Sequence, residues 1–281
     1  MWTCETSTWA RLTPDRKQFG VTVIGGPTIV LDVAGHRLLC DPTFDPPGDY
    51  GYLVKVHGPA VDIGAVGDVD AVLLSHDLHP DNFDESGRDF ALSAPLVLAP
   101  TTTAHRLGLP VQGRSVWESW DLHEMTITAV PARHGPADGE VDEDGFVNCE
   151  VTGFVIEAPG APKTYISGDN ASLTLVRDIY DRFGVMDCAV LFAGAASVHT
   201  KFDGRPLSLT SERAVAAAEI LDAQHVIVAH QDGWRHFGQN ADDTRRAFAD
   251  AGLTDRLCTA PLGHQCELTS DNCADPHRRV T

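Results

Sequence analysis

Basic residues are scarce in this chain. It has 21 lysines and arginines against 40 aspartates and glutamates, which gives a formal net charge of −19 at pH 7. Proteins that bind nucleic acid normally meet its phosphates with surfaces rich in lysine and arginine. The charge balance therefore argues against a nucleic-acid partner, and the surplus of carboxylates would help to hold a cation.

Long apolar runs are also lacking. No segment approaches the length of about 18 apolar residues that a membrane-spanning helix needs. The first twenty residues are charged and polar and have no apolar centre of the kind found in export signals. We therefore expect no membrane partner and a cytoplasmic location.

Closely spaced cysteine pairs are absent as well. The seven cysteines include no Cys-x-x-Cys motif, which argues against a structural zinc ribbon or a thioredoxin-like redox site. Several cysteines lie in or near apolar segments and are predicted to be buried thiols: Cys40, Cys149, Cys188 and Cys258. These thiols fit a protein from a reducing compartment.

Length and composition favour one compact enzyme. A chain of 281 residues that is 43% hydrophobic is large enough for a single domain with a sizeable core. We predict one domain over residues 1–264 and a polar tail over residues 265–281, which includes Cys266 and Cys273 and is expected to be poorly ordered.

Hydrophobic patterning predicts strands that alternate with helices in the second half of the chain. The predicted strands lie around residues 21–31, 37–40, 71–74, 96–99, 126–131, 152–157, 163–167, 188–192 and 225–228. The predicted helices cover residues 173–183, 212–221 and 241–251. Ser172 is a plausible N-cap for the first of these helices, and Thr210 or Ser211 for the second.

The most informative stretch directly follows an apolar run that ends at Leu74. Between His76 and Asp84 it places two imidazoles and three carboxylates within nine residues. Residues at the ends of buried strands often carry the chemistry of α/β proteins. The stretch is therefore a candidate metal site, although asparagine and aspartate are also common in turns and helix caps.

Three later predicted strands end in a similar way. The strand near residue 130 leads to His134, the strand near residue 166 leads to Asp169, and the strand near residue 228 leads to His230. A single histidine at such a position carries little information. Four ligand-bearing strand ends in one chain indicate one shared site.

The order of these motifs resembles that of the metallo-β-lactamase fold hydrolases, in particular their ascorbate-phosphate-lactonase-like branch. The opening segments from Thr22 to Asp32 and from Gly35 to Phe44 also look like those of that branch. The resemblance implies an α+β fold, a four-layer αβ/βα sandwich. It also implies a metal centre, with these candidate ligands: His76, His79, Asp81, His134, Asp169 and His230.

This ligand set would hold one or two ions. Zinc favours about four ligands drawn from imidazole, thiolate and carboxylate, and a catalytic zinc keeps one position for water. Two carboxylates make the site harder than an all-histidine site, so manganese and iron are alternatives. We expect Zn²⁺ as the first choice.

The first motif departs from the family pattern His-x-His-x-Asp-His. Two alignments are open. Without a gap, Leu78 replaces the second histidine and Asp81 the last one. With one extra residue after His76, His79 and Asp81 fall on the His-x-Asp positions and Asn82 replaces the last histidine.

The resemblance implies a hydrolase that uses a metal-activated water on a small-molecule cyclic ester, amide or phosphoester. Asp81 is a candidate proton acceptor. His236 is a candidate proton donor to the leaving group, although a packing role in its loop explains it equally well. Residues 45–58, 135–148 and 193–206 are predicted to form the loops around the pocket, and Lys201 is one of the basic residues that could assist an anionic substrate.

Two other functions stay open on the same fold. A carboxylate-rich centre also suits an iron-dependent redox or oxygen-handling enzyme. A chain with a degenerate first motif could instead be a non-catalytic binding protein. The sequence does not specify the substrate or the oligomeric state, and a homo-oligomer is compatible with it.

Overall fold

The computed structural model of the chain describes residues 3–4 and 10–269. The strands are β1 (Thr3–Cys4), β2 (Ala10–Arg11), β3 (Phe19–Gly25), β4 (Thr28–Val33), β5 (His36–Cys40), β6 (Gly48–Asp49), β7 (Val54–Lys55), β8 (Ala71–Leu73), β9 (Val97–Pro100), β10 (Val111–Arg114), β11 (Ser119–Leu122), β12 (Met125–Pro131), β13 (Thr152–Glu157), β14 (Thr164–Ile166), β15 (Cys188–Phe192), β16 (His225–Ala229) and β17 (His264–Thr269). The helices are α1 (Ile63–Val66), α2 (Glu85–Ser93), α3 (Thr101–Leu107), α4 (Leu173–Phe183), α5 (Ser211–Ile220) and α6 (Ala241–Asp250), with short 3-10 turns at Phe202–Gly204 and Thr254–Arg256.

Two large sheets organise the described residues. The first has nine strands, in the order β1-β17-β3-β4-β5-β8-β9-β10, with β2 paired to β17. The second has six strands, in the order β11-β12-β13-β14-β15-β16. Strands β6 and β7 form a separate two-stranded ribbon. None of the helices within the described residues has the length and apolar character that a membrane span requires.

Three hydrophobic clusters show how these layers stack. One lies between the two sheets and includes Leu31 of β4 and Val190 of β15. A second packs α4, α5 and α6 against the outer face of the second sheet. A third packs residues next to and within α1, α2 and α3 against the outer face of the first sheet. The order helix, sheet, sheet, helix confirms the predicted four-layer sandwich.

Strand direction brings the functional strand ends together. In the first sheet, β8 runs parallel to both β5 and β9. In the second sheet, β14, β15 and β16 are parallel. Strand β12 runs in the same direction as β14, because each is antiparallel to β13. The carboxyl ends of β12, β14 and β16 therefore lie at one edge of the second sheet.

Helix caps in the second half of the chain match their sequence signals. The Ser172 side chain accepts a hydrogen bond from the Leu175 amide, and Thr210 accepts one from the Arg213 amide. Asn240 opens α6 with a capping box formed with Asp243. Such side chains satisfy amides that have no partner within the helix, which explains why these three helices were predictable.

The first half differs from the predicted pattern. The single strand expected over residues 21–31 is a hairpin, β3 and β4, which turns at Gly26 and Pro27. Gly26 has φ +55°, a conformation that favours glycine. Helices α1, α2 and α3 lie in this half, where no helix was predicted. They are short, from four to nine residues, and such lengths give little periodic signal.

The boundary of the predicted tail was wrong. Residues 265–269 belong to β17, which pairs with β3 through Gln265, Cys266 and Glu267. Cys266 and Leu268 are buried between the sheets, since they alternate with polar residues on the other face. Cys266 also forms a disulfide with Cys258, which was predicted to be a thiol. The rest of the predicted tail, with Cys273, lies outside the described residues.

Candidate metal centre

The six predicted ligands come together between the ends of the two sheets. Three of them follow β8, and one each follows β12, β14 and β16. All are buried except His79, which is partly exposed. They form two adjoining groups of ligand atoms: the His76, His79 and His134 group, and the Asp81, Asp169 and His230 group.

The first group presents three ring nitrogens to one another. Nε2 of His76 lies 2.8 Å from Nδ1 of His79, which lies 3.1 Å from Nε2 of His134. A neutral imidazole carries a single N–H, so His79 can donate well to only one of its two neighbours. Lone pairs that face each other in this way form a binding site for a cation.

Burial keeps these imidazoles neutral. It lowers the pKa of His79 to about 4 and lowers the pKa values of His76 and His134 well below 6.5. The neighbouring histidines lower the pKa values of His76 and His134 further. Neutral imidazole is the form that binds metal ions.

Hydrogen bonds orient two of the rings. Nδ1 of His134 lies 3.0 Å from the carbonyl oxygen of Leu207, to which an Nδ1–H donates. Nδ1 of His76 lies 3.0 Å from Oγ of Ser75. In both rings this arrangement leaves Nε2 available as a ligand atom.

Asp41 holds Ser75 in place by accepting two hydrogen bonds from it. The Ser75 amide donates to one carboxyl oxygen of Asp41 and its hydroxyl donates to the other, each at 2.7 Å. The hydroxyl therefore accepts from Nδ1–H of His76. The chain Asp41–Ser75–His76 fixes the ring and its tautomer, as outer contacts do in known metal sites.

The second group brings two buried carboxylates to one imidazole. Nε2 of His230 lies 3.2 Å from Oδ2 of Asp81 and 3.4 Å from Oδ1 of Asp169. Burial raises the pKa of Asp169 well above 3.8, and the charges of Asp81 and Asp41 raise it further. Burial also opposes ionisation of Asp81, but His236 and His230 outweigh it and lower the pKa of Asp81 well below 3.8. A cation between the two carboxylates would relieve their repulsion.

Unpartnered polar atoms surround this group. Four buried side-chain atoms near it make no hydrogen bond within the described residues: Asn82 Oδ1, Asp169 Oδ1, His230 Nδ1 and His236 Nδ1. A buried polar atom without a partner is costly and calls for an unseen ligand or water. The donor set, which is imidazole and carboxylate, fits one or two divalent ions.

Leu78 and Asn82, the two residues in question in the altered motif, differ in exposure. Leu78 is 48% exposed, whereas Asn82 is fully buried and donates to Oδ2 of Asp41 at 3.3 Å. His236 joins the second group, with Nε2 3.0 Å from Oδ2 of Asp81. These positions fit the alignment that has one extra residue after His76.

Cys149 lies beside the metal centre, although no sequence pattern predicted it as part of that site. It was predicted to be a buried thiol in or near an apolar segment, but it is only partly buried, and its Sγ lies within 4.8 Å of the ligand nitrogens of His76, His79 and His134. His76 and His79 follow β8, far from Cys149 in sequence, and His134 lies in the same loop between β12 and β13. The sequence carries no spacing signal that links them.

A cleft opens over the two groups. Its cavity volume is about 20 Å³, far below the range of about 300–1,000 Å³ that is usual for small-molecule sites. All three predicted loops contribute to its walls. Its lining residues are Tyr52, Leu53, His79, Asp81, His134, Asn148, Asp169, Ala196, Val198, Lys201, Leu207 and His236.

The fold and this arrangement agree with a family match. A family model described as "Beta-lactamase superfamily domain" matches residues 36–231, which is well over half of the chain. The chain belongs to this superfamily. The predicted membership of the metallo-β-lactamase fold is thereby confirmed.

Relatives within the superfamily cover different parts of the chain. The first curated relatives are 33% identical over 132 residues, and the match spans only 35% of their length. A UPF0173 metal-dependent hydrolase of Methanosphaerula palustris is 30% identical over 185 residues, which cover 64% of this chain and 77% of that protein.

Solved structures share the fold over most of the chain. A possible metal-dependent hydrolase from Veillonella parvula aligns with a TM-score of 0.76 at 17% identity, covering 88% of this chain and 98% of the other. An isothiocyanate hydrolase from Delia radicum gut bacteria aligns with a TM-score of 0.75 at 22% identity, with the same coverage. These likenesses describe the fold of the superfamily.

Proposed function

We propose that the protein is a metal-dependent hydrolase that acts on a small-molecule cyclic ester, amide or phosphoester. The observation that carries the proposal is the pair of ligand groups at the base of one cleft. Three converging imidazole nitrogens adjoin two buried carboxylates and a fourth imidazole. The metal-dependent hydrolase of Methanosphaerula palustris supports the same reaction class.

The proposed ligands are His76, His79, Asp81, His134, Asp169 and His230, with zinc as the first choice of metal. Manganese and iron are alternatives because of the two carboxylates. A metal held there supplies a water activated at neutral pH and polarises the substrate oxygen. We assign Asp169 to the second group, because its Oδ1 lies 3.4 Å from Nε2 of His230, whereas its Oδ2 lies 3.7 Å from Nδ1 of His134, the nitrogen that bonds the Leu207 carbonyl.

Asp81 and His236 form the proposed proton-handling pair. Both line the cleft, and their hydrogen bond places the His236 ring at its wall. Asp81 stays ionised at neutral pH, because the neighbouring histidines lower its pKa. It can therefore accept a hydrogen bond from a reacting water, while His236 can donate a proton to the leaving group.

Lys201 and Tyr52 provide the proposed substrate contact. Nζ of Lys201 lies 5.9 Å from the centre of the Tyr52 ring and donates to Oδ1 of Asn148 at 2.9 Å. All three line the cleft. This ammonium group can hold a carbonyl, carboxylate or phosphoryl oxygen, which favours a small polar substrate over a purely apolar one.

Elemental analysis of purified protein tests the metal centre. Wild type should hold about one or two equivalents of zinc, manganese or iron per chain, and His134→Ala and Asp169→Ala should lose them. Two exposed residues provide matched controls, His105→Ala and Asp138→Ala, which should keep the metal. A wild-type protein that binds no metal after reconstitution would instead support a non-catalytic binding protein.

A substrate panel then tests the reaction. The panel includes lactones, simple esters, cyclic amides, phosphodiesters and isothiocyanates. Isothiocyanates are included because the solved isothiocyanate hydrolase shares the fold and because their central carbon is attacked by water as an ester carbonyl is. Hydrolysis that stops with a chelator and returns with the metal supports the proposal. Oxygen consumption by iron-loaded protein, without hydrolysis, would contradict it.

A further inference from the structure

Cys149 occupies a position that apolar packing does not explain. Cys40 and Cys188 belong to the hydrophobic cluster between the sheets. Cys149 belongs to none of the hydrophobic clusters of the described residues. Charged side chains act on the Cys149 thiol electrostatically, among them Asp169, Lys201 and Arg106.

The side chains on either side of Cys149 accept hydrogen bonds from other parts of the chain. Asn148 accepts a hydrogen bond from Lys201 at 2.9 Å. Glu150 accepts hydrogen bonds from the amide and the hydroxyl of Thr102, at 2.9 and 2.6 Å, at the start of α3. These contacts position the segment of the loop between β12 and β13 that carries the thiol.

The thiol faces the three-histidine group. Its Sγ and the ligand nitrogens of His76, His79 and His134 all lie within 4.8 Å of one another. Ligand atoms around a tetrahedral zinc are ~3.3–3.6 Å apart, given zinc–nitrogen and zinc–sulfur bonds of about 2.0 and 2.3 Å. A shift of about 1 Å would bring the four atoms to that spacing.

We propose that Cys149 is the fourth ligand of an ion held by His76, His79 and His134, a metal site with three nitrogens and one sulfur. This inference rests on the proposed metal centre and adds a ligand to it. On binding, the thiol loses its proton to solvent and the thiolate sulfur bonds the ion. In the absence of an ion, burial raises the pKa of Cys149 to about 12, so the group is then a thiol.

With Cys149 as a ligand, the two groups of the metal centre would differ in ligand type and in ligand number. A site with three imidazoles and a thiolate is soft, suits zinc, and has four protein ligands, as structural zinc sites do. The group of Asp81, Asp169 and His230 is harder and has only three, which leaves room for a water and a substrate atom. The second group would then be the place where substrate binds.

Cobalt substitution tests the ligand directly. Metal-free full-length protein is titrated with Co²⁺ and its absorption is followed. A thiolate bound to cobalt adds an intense charge-transfer band in the near ultraviolet, which nitrogen and oxygen ligands do not give. We expect this band with the first equivalent in wild type, its loss in Cys149→Ser, and its retention in the control Cys40→Ala, whose thiol lies in the apolar core.

The outcomes separate this inference from the proposed function. Cobalt bound by wild type without the band would overturn the role of Cys149 and leave the metal centre standing. No cobalt bound by wild type would overturn both.

Alkylation provides a second measurement that needs no cysteine variant. Iodoacetamide labelling of Cys149 in metal-free wild type is followed by peptide mass spectrometry, with and without Zn²⁺. Zinc should slow the labelling at least about tenfold, and the His134→Ala variant should lose this protection. Equal labelling with and without zinc would contradict the proposal.

Discussion

Nε2 of His236 lies 3.0 Å from Oδ2 of Asp81, although 155 residues separate the two in sequence. The same oxygen lies 3.2 Å from Nε2 of His230. One carboxylate oxygen is thus shared by two imidazoles beside a cleft. In the alignment with one extra residue after His76, Asn82 takes the place of the last histidine of the family pattern, and His236 is then a nearby imidazole beside Asp81.

Replacing His236 should show whether it is a proton donor or a metal ligand. If His236 donates a proton, His236→Gln should lower kcat by about 10²–10⁴-fold, because general-acid catalysis contributes on that order. The metal content and KM should change little. Steady-state kinetics on the best substrate of the panel and elemental analysis measure both quantities. A parallel loss of metal and activity would make His236 a ligand instead.

The two alignments of the first motif make opposite predictions for a pair of variants. Leu78 is 48% exposed, so Leu78→His should leave metal affinity unchanged. Asn82 is buried beside Asp81, and Asn82→His should strengthen binding of the second ion by about tenfold or more, since it restores a ligand that the family pattern has. Competition with a chromogenic chelator measures the affinity. A gain in Leu78→His alone would support the alignment without a gap.

Ser75→Ala should weaken metal binding although it replaces no ligand. The variant removes the hydroxyl that links Asp41 to Nδ1 of His76. Loss of such outer contacts typically costs about 10–100-fold in affinity. Ser211→Ala is the matched control, because its buried hydroxyl bonds Thr244 instead of the metal centre. Calorimetric zinc titration measures the difference, and equal affinities in the two variants would contradict this role of Ser75.

Asp41 should give the chelated protein a characteristic pH dependence. Burial raises the pKa of Asp41 from 3.8 to about 7, although hydrogen bonds from Ser75 and Asn82 act in the opposite direction. The folded state therefore binds this proton more tightly than the unfolded state, which stabilises it below about pH 4. That stabilisation is lost as the pH rises through about 7.

Asp41→Asn removes this titration. Urea unfolding in a chelating buffer should show the free energy of unfolding of wild type falling relative to that of the variant between about pH 4 and 7. Comparison with the variant cancels the contributions of the histidines, which titrate in both proteins. A constant difference across this range would show that Asp41 is ionised throughout.

Local signals in the sequence account for much of the site. His134, Asp169 and His230 each follow a short apolar run. The shared direction of their strands brings these residues to one edge of the sheet. The helix after Ser172 was predictable because its cap is a neighbour in sequence. These features depend on contacts within a few residues.

Other features depend on contacts that no local pattern encodes. The position of Cys149 is set by Lys201 and Thr102, which hold its neighbours from other parts of the chain. The orientation of His76 depends on Asp41, which lies 34 residues before Ser75. Strand β17 was missed because Cys266 and Leu268 become apolar core residues only when β3 lies beside them.

The six proposed ligands are divided between the two sheets, three after β8 and three after β12, β14 and β16. An ion held by both sets would cross-link the layers at this edge of the sandwich, much as a disulfide ties two segments of chain. A ligand that binds only the folded state stabilises it by about 4 kcal/mol at a thousandfold excess over its Kd. The folded population of this protein would then follow the supply of free metal around it, so that metal starvation reduces the amount of enzyme as well as its activity.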